Sequence, residues 1–297
     1  MWEQAYTEYL AYEKCYSPET ITAYVVSVRG FDVYLQNLHA KVALQEAQAD
    51  HVREWLMLLM DEGKKAATVN RELSALKNFY RYLKFRGQIV HNPTSLISGP
   101  KKERSLPVFA REQDMRILLE DSEQPNADSA FEAVRDRMIV LMFYATGMRR
   151  AELLGLRDED VDMYMSAVKV TGKRDKQRVI PFADSLMQRL RVYLVKRDEV
   201  LGVSSAQALF VDERGRALSP GKVGLIVKTQ LAGIVALKKR SPHVLRHTFA
   251  TAMLNNGAEL NSVKALLGHA SLSATEVYTH LTFEELKKVY NQAHPRA

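Results

Sequence analysis

The 297-residue chain predicts a mainly α-helical protein of two domains with one small β-hairpin. Three observations carry this expectation. Apolar residues recur at helical spacing along most of the chain, whereas only the stretch 167–181 alternates and turns as a hairpin does. Between these regions residues 101–107, KKERSLP, interrupt both periods with clustered cations and a proline. The expected layout is a helical domain at 1–100, a linker at 101–107 and a second domain at 108–297.

Composition narrows the setting. A hydrophobic content of 46% in 297 residues is enough for two cores. The one cysteine, Cys15, excludes an internal disulfide and fits a reducing compartment. The first residues, MWEQAYTEYLAYEK, carry acids where a signal peptide carries basic residues. The most apolar piece, Met138 to Tyr144, is far shorter than the roughly 20 residues that cross a bilayer. The expected location is therefore cytoplasmic, with no membrane partner. A formal charge of +7 suits a polyanionic partner.

In the first domain, Ser17 and Pro18 read as a cap and a first-turn proline. Ile21, Tyr24, Val25, Val28, Phe31 and Leu35 then follow at helical spacing. A second helix is expected over 49–62, where Val52, Trp55, Leu56, Leu58 and Leu59 make much of the circumference apolar and predict a central position. A third, over 67–85, sorts its residues by arc. Leu73, Leu76, Phe79, Tyr80 and Leu83 share one side, while Arg71, Ser74, Asn78 and Arg81 share another, with Lys77 and Lys84 at its border. A polar arc with arginines and no acid suits nucleic-acid phosphates; the plainer alternative is a solvated face. Lys101 and Lys102 of the linker add to this basic character.

Beyond Val108 a helix opens at Arg111, and a long one is expected over 128–145 with a buried centre at 138–144. Gly147 ends it, which leaves Arg149 at a helix junction, functional or bridged to Asp158 or Asp160. Ala167 to Thr171 and Arg178 to Pro181 form the hairpin, with Lys173, Arg174 and Lys176 in its turn. Such a tip can enter a groove, or it is a solvated basic turn. Helices are expected over 186–201 and 221–235, with a short strand-like piece at 209–211. Residues 215–223, GRALSPGKV, imitate a phosphate-binding glycine loop, but five residues separate the glycines instead of four, and Val223 stands where a magnesium-holding hydroxyl belongs. Nucleotide binding is excluded on that ground.

The stretch from Ser241 to His280 concentrates the chemistry. A helix opened by Pro242 sets His243, Arg246 and His247 on one face and Leu245, Phe249, Ala252 and Met253 on the other. The next periodic piece, Leu260 to Leu267, ends at Gly268, so His269 lies just past a helix end. Ser273 and Glu276 make a capping-box pattern that would start a short helix bearing Tyr278. The guanidinium and imidazole of H-x-x-R can hold the non-bridging oxygens of a phosphodiester, and a tyrosine in the same pocket can attack the phosphorus. Taken singly, a helical tyrosine is more often core or surface. His243 and His247 have zinc spacing, but no acid completes H-E-x-x-H, so no metal is expected.

The order of these residues resembles the tyrosine recombinase (phage integrase) family, whose pattern is Arg, Lys, His-x-x-Arg, His or Trp, and Tyr. Thr146-Gly147-Met148-Arg149-Arg150-Ala151-Glu152-Leu153 matches its T-G-x-R-x-x-E-L element. Lys173 sits in the hairpin, His243 and Arg246 form the pair, His269 follows Leu267-Gly268, and Tyr278 lies in Val-Tyr-Thr-His. Arg150 departs from the pattern, where small or apolar residues are commoner, so the register of the first arginine rests on T-G-x-R.

The resemblance covers nearly the whole chain and is similar to the short Xer-type members. It implies a helical SAM-like core-binding domain and a catalytic domain that close on double-stranded DNA as a C-shaped clamp. It also implies cleavage by Tyr278 through a 3′-phosphotyrosine, with Arg149 and Arg246 neutralising the phosphorane, His243 and His269 handling protons, Lys173 protonating the leaving 5′-oxygen and Glu152 orienting the cations. DNA contacts would come from Arg71, Lys77, Arg81, Lys101, Lys102, Arg174 and Lys176. No cofactor is implied. Phe283, Leu286, Val289 and Tyr290 would form a last helix that couples subunits of a homo- or hetero-tetramer with a paralogous recombinase, or packs on its own domain. The expected role is chromosome-dimer resolution at a dif-like site, with a DNA translocase as a candidate activator. The alternatives are a mobile-element integrase with the same chemistry and a non-catalytic DNA-binding protein.

Overall fold

The computed structural model describes residues 2–38, 42–101, 108–120, 130–172, 175–202, 208–234, 237, 239–268 and 282–295. The chain divides into two compact units, Met1–Ser105 and Leu106–Ala297.

Unit 1 is helical among its described residues. Helix α1 (Trp2–Glu8) runs into a π-helical turn over Tyr9–Glu13, followed by α2 (Pro18–Leu38), α3 (Ala49–Asp61) and α4 (Ala66–Phe85). Val28, Phe31 and Leu35 of α2, Val52 and Trp55 of α3, and Leu73, Leu76, Phe79, Tyr80 and Leu83 of α4 are all buried in one core. The arcs expected of α2 and α4 are thus the arcs that pack. Helix α3 is more one-sided than its composition suggests, because Met57, Leu58 and Met60 are exposed. Asn78 also leaves the polar arc of α4: its Oδ1 accepts from the Tyr6 hydroxyl at 2.8 Å. After α4 the chain returns along the unit, burying Thr94 and Ile97, and the Asn70 side-chain amide donates to the Pro100 carbonyl at 2.8 Å.

Unit 2 is built around α6 (Phe131–Thr146), whose residues from Met138 to Thr146 are all buried. Helix α5 (Glu112–Glu120) precedes it, and α8 (Asp184–Leu201), α9 (Pro220–Gln230) and α10 (Pro242–Asn255) pack on it. Gly147 ends α6 in the left-handed region at φ 60°, where a Cβ would stand 2.5 Å from the Phe249 ring and 2.8 Å from Leu267. Glycine is required there twice over, by conformation and by space. A short helix, α7 (Arg150–Leu154), begins directly after it.

The hairpin is part of a three-stranded antiparallel sheet, β1 (Val161–Asp162), β2 (Ala167–Thr171) and β3 (Gln177–Pro181), in that order. Val168 pairs with Ile180 and Thr171 with Gln177. Strand β1 is two residues long, too short to show alternation in a sequence. The strand expected at 209–211 is a correction, since only Val211 makes a bridge, to Ala217. Leu209 and Phe210 are buried as core residues, and the Leu209 N–H donates to the Leu156 carbonyl at 2.7 Å. A short apolar run reads the same whether a strand or a loop buries it. Helix α9 ends at Gln230, earlier than 235, in a 3₁₀ turn over Leu231–Gly233. The glycine-loop imitation at its start is a helix cap: Ser219 Oγ accepts from the Lys222 N–H at 3.2 Å and Pro220 fills the first turn.

Helix α11 (Leu260–Leu267) ends at Gly268, again left-handed at φ 64°. Helix α12 (Phe283–Ala293) lies against α10, α11 and β3 of its own unit, with Tyr290 fully buried and stacked on His294 at 4.8 Å.

Candidate active site

The C-terminal end of α11 leaves its last carbonyls without intrahelical partners, and its dipole favours positive charge there. Three arginines from three different elements take those carbonyls in turn. Arg178 of β3 donates through Nε to Leu266 O at 2.7 Å, Arg246 of α10 through Nη2 to Leu267 O at 2.7 Å, and Arg149 before α7 through Nη2 to Gly268 O at 3.0 Å. Arg246 also donates through Nη1 to Gly147 O at 2.7 Å. The two left-handed glycines thus expose carbonyls that fix the guanidiniums.

Among the described residues, the carboxylate that serves this cluster is Glu152. Glu152, only 3% exposed, accepts from Arg178 Nη1 at 2.8 Å and Nη2 at 3.0 Å, and from Arg149 Nη1 at 2.8 Å. It also takes the Arg149 backbone N–H at 2.6 Å, capping α7. Burial alone would raise its pKa, but the Arg178 pair and then the Arg149 contacts hold it down at about 2. Burial, then the nearby charge of Arg149, lowers the pKa of Arg246 to about 10, with Glu152 partly opposing.

His243 and His247 are exposed on α10 while Leu245, Phe249 and Met253 are buried, as the helical pattern expects. Arg246 is the exception, since it is buried on the side expected to face solvent. It is drawn in by the carbonyls of Gly147 and Leu267, to which its two amino groups donate. The pKa of His243 is lowered by burial first and then by Arg150, His247, Arg246 and Arg149, so its imidazole is neutral near pH 7.

Arg149 is therefore in the cluster, and its structural alternative is not what it does. Asp158 pairs with Arg197 at 2.7 Å and Asp160 with Lys169 at 3.8 Å. Arg150 points elsewhere, its Nη1 reaching the Pro220 carbonyl of α9 at 3.4 Å. Lys173, Arg174, His269 and Tyr278 lie outside the described residues, as does Lys102. Lys176 is exposed beside the hairpin turn, where its carbonyl accepts from Gly172 N–H at 2.8 Å. On unit 1, Arg71 and Arg81 of α4 and Lys101 are exposed and Lys77 is half-buried. The polar arc is not acid-free as expected, because Arg71 pairs with its neighbour Glu72 at 3.1 Å.

In the sequence Arg178 reads only as the first residue of a strand that follows a basic turn. Its parity on β3 was the available signal: Arg178 and Ile180 share the inward side, whereas Gln177 and Val179 are exposed. Among the described residues, no three His, Cys, Asp or Glu side chains gather as a metal-ligating group. What the cluster can do is bind an anion. Among the described residues three fixed guanidiniums gather beside the His243 imidazole, and guanidinium is the group best matched to phosphoryl oxygens.

Comparison with known proteins agrees with this chemistry. Residues 109–285 match the Phage integrase family, and residues 4–87 match the Phage integrase N-terminal SAM-like domain. The chain belongs to the phage integrase family, the tyrosine recombinases that break and rejoin DNA. Within that family its similarity is to Xer recombinases. It is 36% identical to the tyrosine recombinase XerC of Chlorobaculum tepidum, over 95% of this chain and 90% of that one. It is likewise 36% identical to XerC of Bacillus subtilis, over 98% and 95% of the two chains. The XerH site-specific recombinase bound to a palindromic difH substrate is 25% identical, with a TM-score of 0.70 over 90% of this chain and 78% of that one.

Proposed function

We propose that this protein resolves chromosome dimers by site-specific recombination at a dif-like duplex, with Tyr278 as nucleophile. The observation that carries the reading is the cluster at the end of α11, where Arg149 and Arg178 pair with Glu152 and Arg246 is held by the Gly147 and Leu267 carbonyls. Such a site suits a phosphodiester passing through a pentacoordinate state with more negative charge than its ground state.

In this mechanism Arg149 and Arg246 hold the non-bridging oxygens, since a guanidinium matches two of them and remains protonated even with its pKa at about 10. The phenol oxygen of Tyr278 bonds to phosphorus as the bond to the 5′-oxygen breaks. His243, neutral before the step, takes the phenol proton, Lys173 gives a proton to the departing 5′-oxygen, and His269 donates a hydrogen bond to the phosphoryl group. The product is a 3′-phosphotyrosine and a free 5′-hydroxyl. Because the new bond is itself a phosphodiester, the 5′-hydroxyl of a partner strand reverses the step without ATP. Arg71, Lys77, Arg81, Lys101, Lys102, Arg174 and Lys176 supply contacts to the duplex backbone. The working assembly is a tetramer on paired sites, either of this chain alone or with a paralogous recombinase, under the control of a DNA translocase.

Incubation with a nicked duplex carrying a dif-like site tests this. The wild-type protein is expected to form an SDS-resistant adduct and Tyr278→Phe none. A wild-type protein that binds the duplex and forms no adduct overturns the reading.

A further inference from the structure

Arg178 differs from Arg149 in how its donors are spent. Its Nε goes to Leu266 O, and both amino groups go to Glu152, one to each oxygen, a bidentate pair. Its side chain is 14% exposed, against 39% for Arg149. The surrounding glycines keep room for this pair. A Cβ at Gly268 would come within 2.9 Å of Arg178 Nη1, and one at Gly172 would stand 3.4 Å from Glu152 Oε1. With all three nitrogens turned toward protein, Arg178 is not aimed at a phosphate.

Arg149 touches the same carboxylate with one side-chain nitrogen only and rests its other amino group on Gly268 O. A carboxylate and a guanidinium prefer the forked, two-bond pairing. Glu152 makes that pairing with Arg178, and so cannot make it with Arg149.

We infer that Arg178 is a positioning residue for strand cleavage: by occupying both oxygens of Glu152 from the hairpin, it keeps Arg149 from closing on that carboxylate and leaves it turned toward the scissile phosphate. The inference rests on the recombinase reading above. Its physical content is a competition for one carboxylate. Removing Arg178 frees Glu152 to capture Arg149, which stays charged and present but withdrawn from the substrate.

The test is single-turnover adduct formation on the nicked duplex with either the native diester or a methylphosphonate at the scissile position. The methylphosphonate is uncharged and has less need of a neutralising guanidinium. Arg178→Met is expected to slow cleavage of the diester by about 10²-fold, comparable to the loss of one preorganised donor. On the methylphosphonate it should stay within about threefold of wild type, because the step lost is the one that substrate bypasses. Duplex affinity by gel shift should be unchanged. Equal slowing on both substrates overturns the proposal in favour of a purely structural role, and so does a wild-type rate on the diester. Should Arg178→Met melt below the assay temperature, Arg178→Lys carries the same comparison, since a lysine cannot bridge both oxygens and reach Leu266 O. Failure of the wild-type protein to react with either substrate would instead remove the recombinase reading itself.

Discussion

Unit 2 buries arginines in two ways. Arg135 and Arg197 lie in the core, each with two carboxylates and a backbone carbonyl. Arg135 has Asp136, Glu213 and Val211 O, and Arg197 has Asp158, Asp198 and Leu209 O. Burial works against the charge of Arg135, but Asp136 and Glu213 more than offset it. For Arg197 the hydrogen bonds it donates to Asp158 lead and burial is the lesser effect. Both hold their protons more tightly than a free arginine. At the end of α11 Arg149 and Arg178 pair with Glu152 while Arg246 rests on the Gly147 and Leu267 carbonyls, and its pKa is pulled the other way, to about 10. A buried arginine whose charge is matched is a strut between elements. One anchored on backbone carbonyls at a helix C-terminus, beside further guanidiniums, is suited to an anion.

The contrast can be broken at either region. The largest effect is expected at Arg246. Its replacement by alanine should lower the rate of adduct formation by about 10³-fold, the scale of losing a charged donor to a transferring phosphoryl group. Arg197→Met should do the reverse. Its partners Asp158 and Asp198 are partly exposed, so the loss is that of charge-assisted hydrogen bonds, about 3 kcal/mol. For a unit of this size that lowers the melting temperature by on the order of 10 °C, with the cleavage rate per folded molecule unchanged. A variant of Arg197 that melts normally and cleaves slowly would erase the distinction.

A smaller effect distinguishes Glu152 by pH. Its folded pKa of about 2 lies below the ordinary 4.5, so the stability it contributes is complete above pH 4.5 and is lost as the pH falls toward 2. The gap in melting temperature between wild type and Glu152→Gln should therefore be widest above pH 4.5 and shrink below it. A gap that widens on acidification contradicts the assignment. The smallest effect belongs to α4. Arg81→Ala should flatten the salt dependence of duplex binding by about one unit of log–log slope. Arg71→Ala should do less, because Glu72 already shares its charge. Neither should change the cleavage rate at saturating DNA.

Much of the fold could be read from periodicity, because the helices that pack are those with one apolar face. Helices α2, α4, α10 and α11 bury most of the residues their spacing selects, the exceptions being Leu260, exposed at the start of α11, and Arg246, buried on the polar face of α10. What periodicity missed was short or contextual. Strand β1 has too few residues to alternate, and Leu209 to Val211 are apolar because the core needs them, not because a sheet does. At the site, the H-x-x-R pattern and the glycine at the end of α6 brought Arg149 and Arg246 into view. Their attachment to consecutive carbonyls of α11 depends on three elements meeting, which no local spacing encodes. Arg178 was hidden for the same reason, since its partner lies 26 residues away.

The most direct test is to locate the covalent bond. After cleavage of a nicked dif-like duplex and digestion with trypsin, the added nucleotide mass should fall on the peptide that follows Lys264 and ends at Lys287, whose one tyrosine is Tyr278. Attachment to any other residue, or an adduct that survives Tyr278→Phe, would contradict the account.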